Sequence, residues 1–333
     1  MRRQGSKRRR GIAPSRLVLA ALVLTATGAA SAQASGIAVP APAARQARGF
    51  WTPARMRSAR PVEIAAPAAP TAAAHPRPDA AAAPQRIVAG AAPADPAPGS
   101  NFGAIADPTA PVLRQNGVVF FQAGLFGLGR CSATSVSAPN RSVVFTAGHC
   151  VHSEGGRRGH WYRESWVFVP GYRYGQRPFG AFPAKWLDTT RGWLTTGTEN
   201  EDVAAAVVMP NERGERLGDA VGGAGIAWGL QAKQVFDVHG YPVGPPFDGE
   251  TQRLCSQTPF LGHDPASVFG RGPFNLAVGC EVTGGASGGG WTIRGDVLNS
   301  VTDYGYAEDP GTDYGAYFGR EVGRLYKRVA GIQ

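Results

Sequence analysis

Short apolar runs separated by turn residues fill the chain from about residue 112 to its end. GVVFFQ (117–122), RCSATSVS (130–137), SVVFTA (142–147), SWVFVP (165–170) and VAAAVV (203–208) are bounded by glycine, proline or asparagine. Runs of that length, rich in β-branched and aromatic residues, predict strands. A glycine-rich break, GDAVGGAGIAWG, separates them from a second series: QVFDVHG, FNLAVGCEV, GGWTI and DVLNSVT. Helical spacing is clear only at the end, where Phe318, Val322, Leu325, Tyr326 and Val329 recur every three to four residues and fall on one face. Two β-rich halves followed by one helix predict an all-β fold of paired barrels. No sequence repeat relates the halves.

The first hundred residues read differently. A basic start, MRRQGSKRRR, precedes an apolar stretch from about Leu17 to Ala26 and the small-residue sequence GAASAQAS, which predicts a signal peptide over 1–32 cut after Ala32. The apolar stretch is too short for a stable membrane span. From 33 to 100 the chain is rich in Ala, Pro and Arg, as in PAPAARQARGFW, with little to bury. Such a segment does not repay the entropy of ordering, so a disordered pro-segment or tether, removed on maturation, is expected there. Residues 1–100 hold 14 Lys+Arg and 3 Asp+Glu, net +11, leaving 20 and 21, net −1, of the chain's 34 and 24 for residues 101–333. The basic charge belongs to the leader and tether, so no nucleic-acid partner is expected for the folded part.

All four cysteines, Cys131, Cys150, Cys255 and Cys280, lie in the folded part. An exported chain in an oxidising compartment predicts two disulfides, with three pairings open. Their intervals lack the tight paired spacing of a zinc site, and neither a metal nor an organic cofactor is expected.

Three stretches carry chemistry. SVVFTAGHCV ends a strand-like run on His149 beside Cys150, NEDVAAAVV brings Asp202 to the head of an apolar run, and CEVTGGASGGGW sets Ser287 among glycines. Glycines let a backbone turn tightly and leave N–H groups open to a developing oxyanion. Each motif alone is ordinary: a solvated carboxylate, a packed histidine, a glycine-rich turn. Together they stand in the order His149, Asp202, Ser287, separated by 53 and 85 residues, the order found in chymotrypsin. Asp188 and Glu201 are rivals to Asp202.

From about residue 112 onward the chain resembles the secreted bacterial trypsin-like serine peptidases of the chymotrypsin fold, near the glutamyl endopeptidase branch. TAGHC is similar to that family's histidine motif, EDVAAAVV to its aspartate strand and GGASGG to its serine loop. The resemblance implies two six-stranded antiparallel β-barrels with a C-terminal helix. The first, over 101–220, would carry His149 and Asp202; the second, over 221–333, would carry Ser287 and the helix. It also implies disulfides Cys131–Cys150 and Cys255–Cys280, and an oxyanion hole from the N–H groups of Gly285 and Ser287. The implied activity is serine endopeptidase, acting on protein or peptide substrates through an acyl-enzyme. A secreted, extracellular monomer is expected, with no stable membrane insertion once the leader is cut.

Departures from the family pattern matter for specificity and activation. Ala286 stands where animal trypsin-like enzymes carry an aspartate that pairs with a freed N-terminus, so that activation route is closed. Val301 falls where glutamyl endopeptidases use a histidine, which argues against glutamate preference. Glu281, six residues before Ser287, is a candidate floor for a pocket that takes Arg or Lys. His152 and His160 are expected to be exposed. The competing reading is a catalytically silent binding protein on the same fold.

Overall fold

The computed structural model describes Met1, residues 36–64, residue 66, residues 86–90, 104–105, and 113–333 apart from 125–126, 154, 157, 265 and 268–273. The expected leader, Met1 apart, and the boundary near residue 101 lie outside the described residues. Before the barrels come β1 (Ile37–Ala38), α1 (Ala41–Phe50), α2 (Pro53–Ser58), β2 (Arg60–Pro61), β3 (Arg86–Val88) and β4 (Ala104–Ile105).

The first barrel comprises β5 (Asn116–Gln122), β6 (Leu128–Val136), β7 (Val143–Thr146), β8 (Val167–Pro170), β9 (Phe182–Thr189) and β10 (Ala204–Val208). The strands run in the order β9, β10, β7, β6, β5, β8, and antiparallel pairing of β8 with β9 closes the ring. Next come α3 (Arg191–Thr196), α4 (Leu217–Val221) and β11 (Gly225–Trp228). The second barrel comprises β12 (Val235–Gly240), β13 (Arg253–His263), β14 (Leu276–Gly279), β15 (Gly290–Ile293), β16 (Val297–Tyr306) and β17 (Asp309–Gly315). Here the order is β15, β12, β13, β14, β17, β16, closed by β15 on β16. The expected pair of closed six-stranded antiparallel barrels is present, with the terminal helix α5 at Arg320–Ala330.

The continuous apolar run in β5 has a physical reason. Val119 and Phe121 enter the barrel core beside Val144 and Phe168, while Val118 and Phe120 face outward. That outer face is also buried, because Ala47, Trp51, Met56 and Ala59 cover it. A strand buried on both faces loses the hydrophobic/polar alternation of a half-exposed one. Trp51 anchors the cover further by donating its indole N–H to the Ser165 carbonyl at 2.5 Å. The disorder expected of 33–100 therefore does not hold for residues 36–64. An alanine-rich helix with proline in its first turn needs few large apolar side chains when it docks on a waiting apolar sheet face.

The face of α5 carrying Val322, Leu325 and Val329 packs on Val143, Phe145, Ala205 and Val207 of the first barrel. Arg328 locks it with a two-point ion pair to the buried Asp188, Nε to Oδ2 at 2.9 Å and Nη2 to Oδ1 at 3.0 Å. Among the described residues no helix is long and apolar enough to cross a membrane.

Candidate active site

His149 lies on a one-turn 3₁₀ segment, Gly148–Cys150, that follows β7 directly. The bond Cys131–Cys150 ties this turn to the neighbouring strand β6, and Cys255–Cys280 links β13 to the residue after β14. Cys131, His149 and Cys150 cluster closely enough to suggest a metal site, but the two sulfurs are bonded to each other and offer no thiolates.

Asp202 caps a short turn, Glu199–Glu201, just before β10. One carboxylate oxygen accepts the backbone N–H of His149 at 2.8 Å and the other meets its Nδ1 at 2.6 Å. Both side chains are buried. Gly148 is required here, since a Cβ would lie 2.6 Å from Asp202 Oδ1. The rival carboxylates are committed elsewhere: Asp188 to Arg328, and Glu201 to the N–H of Gly192.

Ser287 lies between β14 and β15, and its surroundings fix two N–H groups. Gly284 presents its carbonyl to the N–H of Val243 at 2.7 Å, and Ala286 presents its own to Gly289 N–H at 2.8 Å. In a trans peptide the carbonyl and the following N–H point in opposite directions. The N–H groups of Gly285 and Ser287 are thus aimed away from those acceptors, and among the described residues neither donates to the protein. Gly285 has φ +98°, and a Cβ would meet Val243 Cγ2 at 2.7 Å and the Tyr241 carbonyl at 2.8 Å. Only glycine fits.

Ser132, which the motifs did not single out, ties the halves together. Its N–H donates to the Ser287 carbonyl at 2.8 Å, and its hydroxyl donates to the Gly285 carbonyl at 2.8 Å while accepting from Tyr241 N–H at 2.9 Å. It follows Cys131 on β6, so one strand holds both the histidine turn and the serine loop. Position next to a motif cysteine was the only sequence signal. His149 Nε2 has no hydrogen-bond partner among the described residues, Ser287 included.

A cavity of about 350 Å³ opens beside Ser287, lined in part by Gly284, Thr302, Asp303, Tyr304 and Asp313. The sequence candidates for specificity are not in it: Glu281 is exposed, and Val301 is buried in the packing between the barrels and α5. The expectation fails because β16 turns Thr302, rather than Val301, toward the cavity. Burial pushes Asp313 up to about 8, and burial together with the Asp202 charge raises Asp303 well above the usual carboxylate range. His152 is buried against Trp161, contrary to expectation, whereas His160 is exposed and bonded to Ser153. A second cavity of about 470 Å³, on the His149 side, is lined by Trp193, Tyr162 and residues 61–64.

No family model matches the chain, and no curated protein matches it. Among solved structures, protease Anisep from Arthrobacter nicotinovorans is 31% identical over 67% of this chain and 98% of its own, with a TM-score of 0.58. The thermostable serine protease AL20 from an extremophilic microorganism is 32% identical over 66% and 99%, with a TM-score of 0.60. A Glu endopeptidase, 16% identical with a TM-score of 0.51, shares the fold. The chain thus belongs to the bacterial serine proteases of the chymotrypsin fold. It is a serine endopeptidase, and its substrates are proteins or peptides.

Proposed function

We propose that the protein is a secreted serine endopeptidase that cuts peptide bonds through His149, Asp202 and Ser287. The observation that carries this is the two-point grip of Asp202 on His149 beside a serine loop with two aimed N–H groups. With Nδ1–H given to the carboxylate, Nε2 keeps its lone pair and acts as the base. Ser287 Oγ attacks the substrate carbonyl while Nε2 takes its proton, and the buried carboxylate stabilises the imidazolium. The Gly285 and Ser287 N–H groups receive the oxyanion, a pair in which one donor is worth roughly 10²–10³ in rate. His149 then protonates the leaving amine, and water repeats the cycle on the acyl-enzyme.

The leader-like start over 1–32 and the two disulfides support export to an oxidising space. Residues 33–100 then form a pro-segment between leader and barrels, and the mature form is a monomer. The silent binding-protein reading draws on the open link between Nε2 and Ser287. Mass spectrometry during turnover of a p-nitrophenyl ester, on the exported chain after removal of its pro-segment, separates the two: an acyl adduct on Ser287 supports the peptidase, and a burst-free chain with no adduct supports the binding protein.

A further inference from the structure

The cavity beside Ser287 is lined by two buried carboxyl groups, Asp303 and Asp313, by the exposed Glu63 at its edge, and by no lysine, arginine or histidine among the described residues. Asp313 Oδ2 accepts the Thr302 hydroxyl at 2.7 Å and Asp303 Oδ2 accepts Asn275 Nδ2 at 3.2 Å. Both Oδ1 atoms are buried as well, and among the described residues no cation lines the cavity beside either carboxyl group. Buried carboxyl groups without a counter-charge are costly, and a cation placed beside them offsets that cost. Resting on the peptidase reading, we propose that this cavity receives a positively charged side chain, arginine or lysine, on the acyl side of the cleaved bond. Asp313 and Asp303 are then the specificity-determining residues. A guanidinium or ammonium in the cavity brings the positive charge that the two carboxyl groups in its wall lack. An acidic side chain would meet two carboxyl groups and no cation, and an apolar one would leave both without a counter-charge. Burial raises the affinity of these carboxyls for protons, which is the same demand for a positive partner.

The test compares peptide nitroanilides with Arg, Lys, Leu, Phe or Glu at the cleaved position, on the full chain and on the chain as its host exports and processes it. A small fluorophosphonate reports separately whether Ser287 is activated. Expected are a preference for Arg and Lys over Glu of roughly 10² or more, and its loss in Asp313→Asn while labelling persists. The comparison of substrates needs no variant, so a poorly folding Asp313→Asn does not weaken it. Labelling together with preference for Glu, Leu or Phe overturns the pocket assignment and leaves the peptidase standing. If the chain neither labels nor cleaves, the peptidase reading is at fault, and binding of benzamidine against benzoate and benzyl alcohol decides the pocket by itself.

A separate observation carries a second inference. β2 pairs with Gly129 and Arg130 of β6, and the Val62 N–H donates to the Arg130 carbonyl at 3.2 Å. The chain then passes between the two cavities: Glu63 and Ile64 line both, and Glu63 lies so close to Gly284 that a Cβ there would overlap its carboxylate. We infer that residues 60–64 are a strap that blocks the cleft, moored by α1 and α2 on the outer face of the first barrel. Changing Val62 and Glu63 together to glycine in the full chain loosens the strap and leaves the mooring alone. Fluorophosphonate labelling should then accelerate at least roughly tenfold, the gain for about 1.4 kcal/mol of lost blocking. Equal labelling of both chains, whether fast or absent, overturns the strap.

Discussion

Asp202 holds His149 at two points, its Oδ1 on the backbone N–H at 2.8 Å and its Oδ2 on Nδ1 at 2.6 Å. The backbone contact fixes where the turn sits, and the side-chain contact fixes the tautomer. Asp202→Asn keeps the first and inverts the second, because the amide places an N–H donor where the ring's Nδ1–H needs an acceptor. Turnover should fall by about 10⁴ with KM little changed, as expected for a wrong tautomer. Steady-state kinetics on a peptide substrate check it.

Ser132 holds the serine loop through one hydroxyl that donates to Gly285 and accepts from Tyr241. Ser132→Ala leaves a buried N–H and a buried carbonyl short of partners. The cost should be about 1–3 kcal/mol of stability. Turnover should drop on the order of tenfold as Gly285 loses its fixed orientation. Thermal melting and kinetics on the same variant separate the two effects.

The bond between Cys131 and Cys150 closes a loop over a sequence separation of 19 and clamps the histidine turn. Replacing both cysteines by alanine should cost about 3 kcal/mol by loop closure. Activity should fall further than that of a Cys255→Ala, Cys280→Ala chain, measured at a temperature where both remain folded.

Two buried groups set opposite pH slopes. His239 titrates near 4 in the folded protein because of burial, against 6.5 when unfolded, so its contribution is complete above 6.5 and lost as pH falls toward 4. Asp313 titrates near 8, against 3.8 unfolded, so the folded chain binds the extra proton and stability is lost as pH rises from 3.8 to 8. Between pH 6.5 and 8 only the Asp313 slope of this pair acts, and unfolding free energy should fall by about 2 kcal/mol. Urea denaturation across that window should show the slope in wild type and a shallower one in Asp313→Asn, where Asp303, also raised by burial, remains.

The strands legible in sequence were β5, β6, β7, β8 and β10 of the first barrel and β12, β14, β15 and β16 of the second, short runs bounded by turn residues. β9, FPAKWLDT, and β17, DPGTDYG, escaped because proline, glycine and charged residues interrupt the pattern. Both nonetheless belong to the barrels, where pairing with neighbours on two sides outweighs weak local propensity. α1 escaped because its small alanines are buried only by the sheet they dock on. His149, Asp202 and Ser287 were legible as motifs since each chemistry sits in a local stretch. The lining of the pocket was not: Asp303 and Asp313 meet across β16 and β17, and a charged residue inside a β-run, as in SVTDYGY, was the one available hint.

The central claim is that His149, Asp202 and Ser287 act as one activated nucleophile, and fluorophosphonate labelling tests it most directly. The exported chain, folded, disulfide-bonded and freed of residues 60–64, should label at Ser287, while Ser287→Ala and His149→Ala chains should not. A wild-type chain in that state that stays unlabelled, or a His149→Ala chain that labels as fast as wild type, would contradict the account.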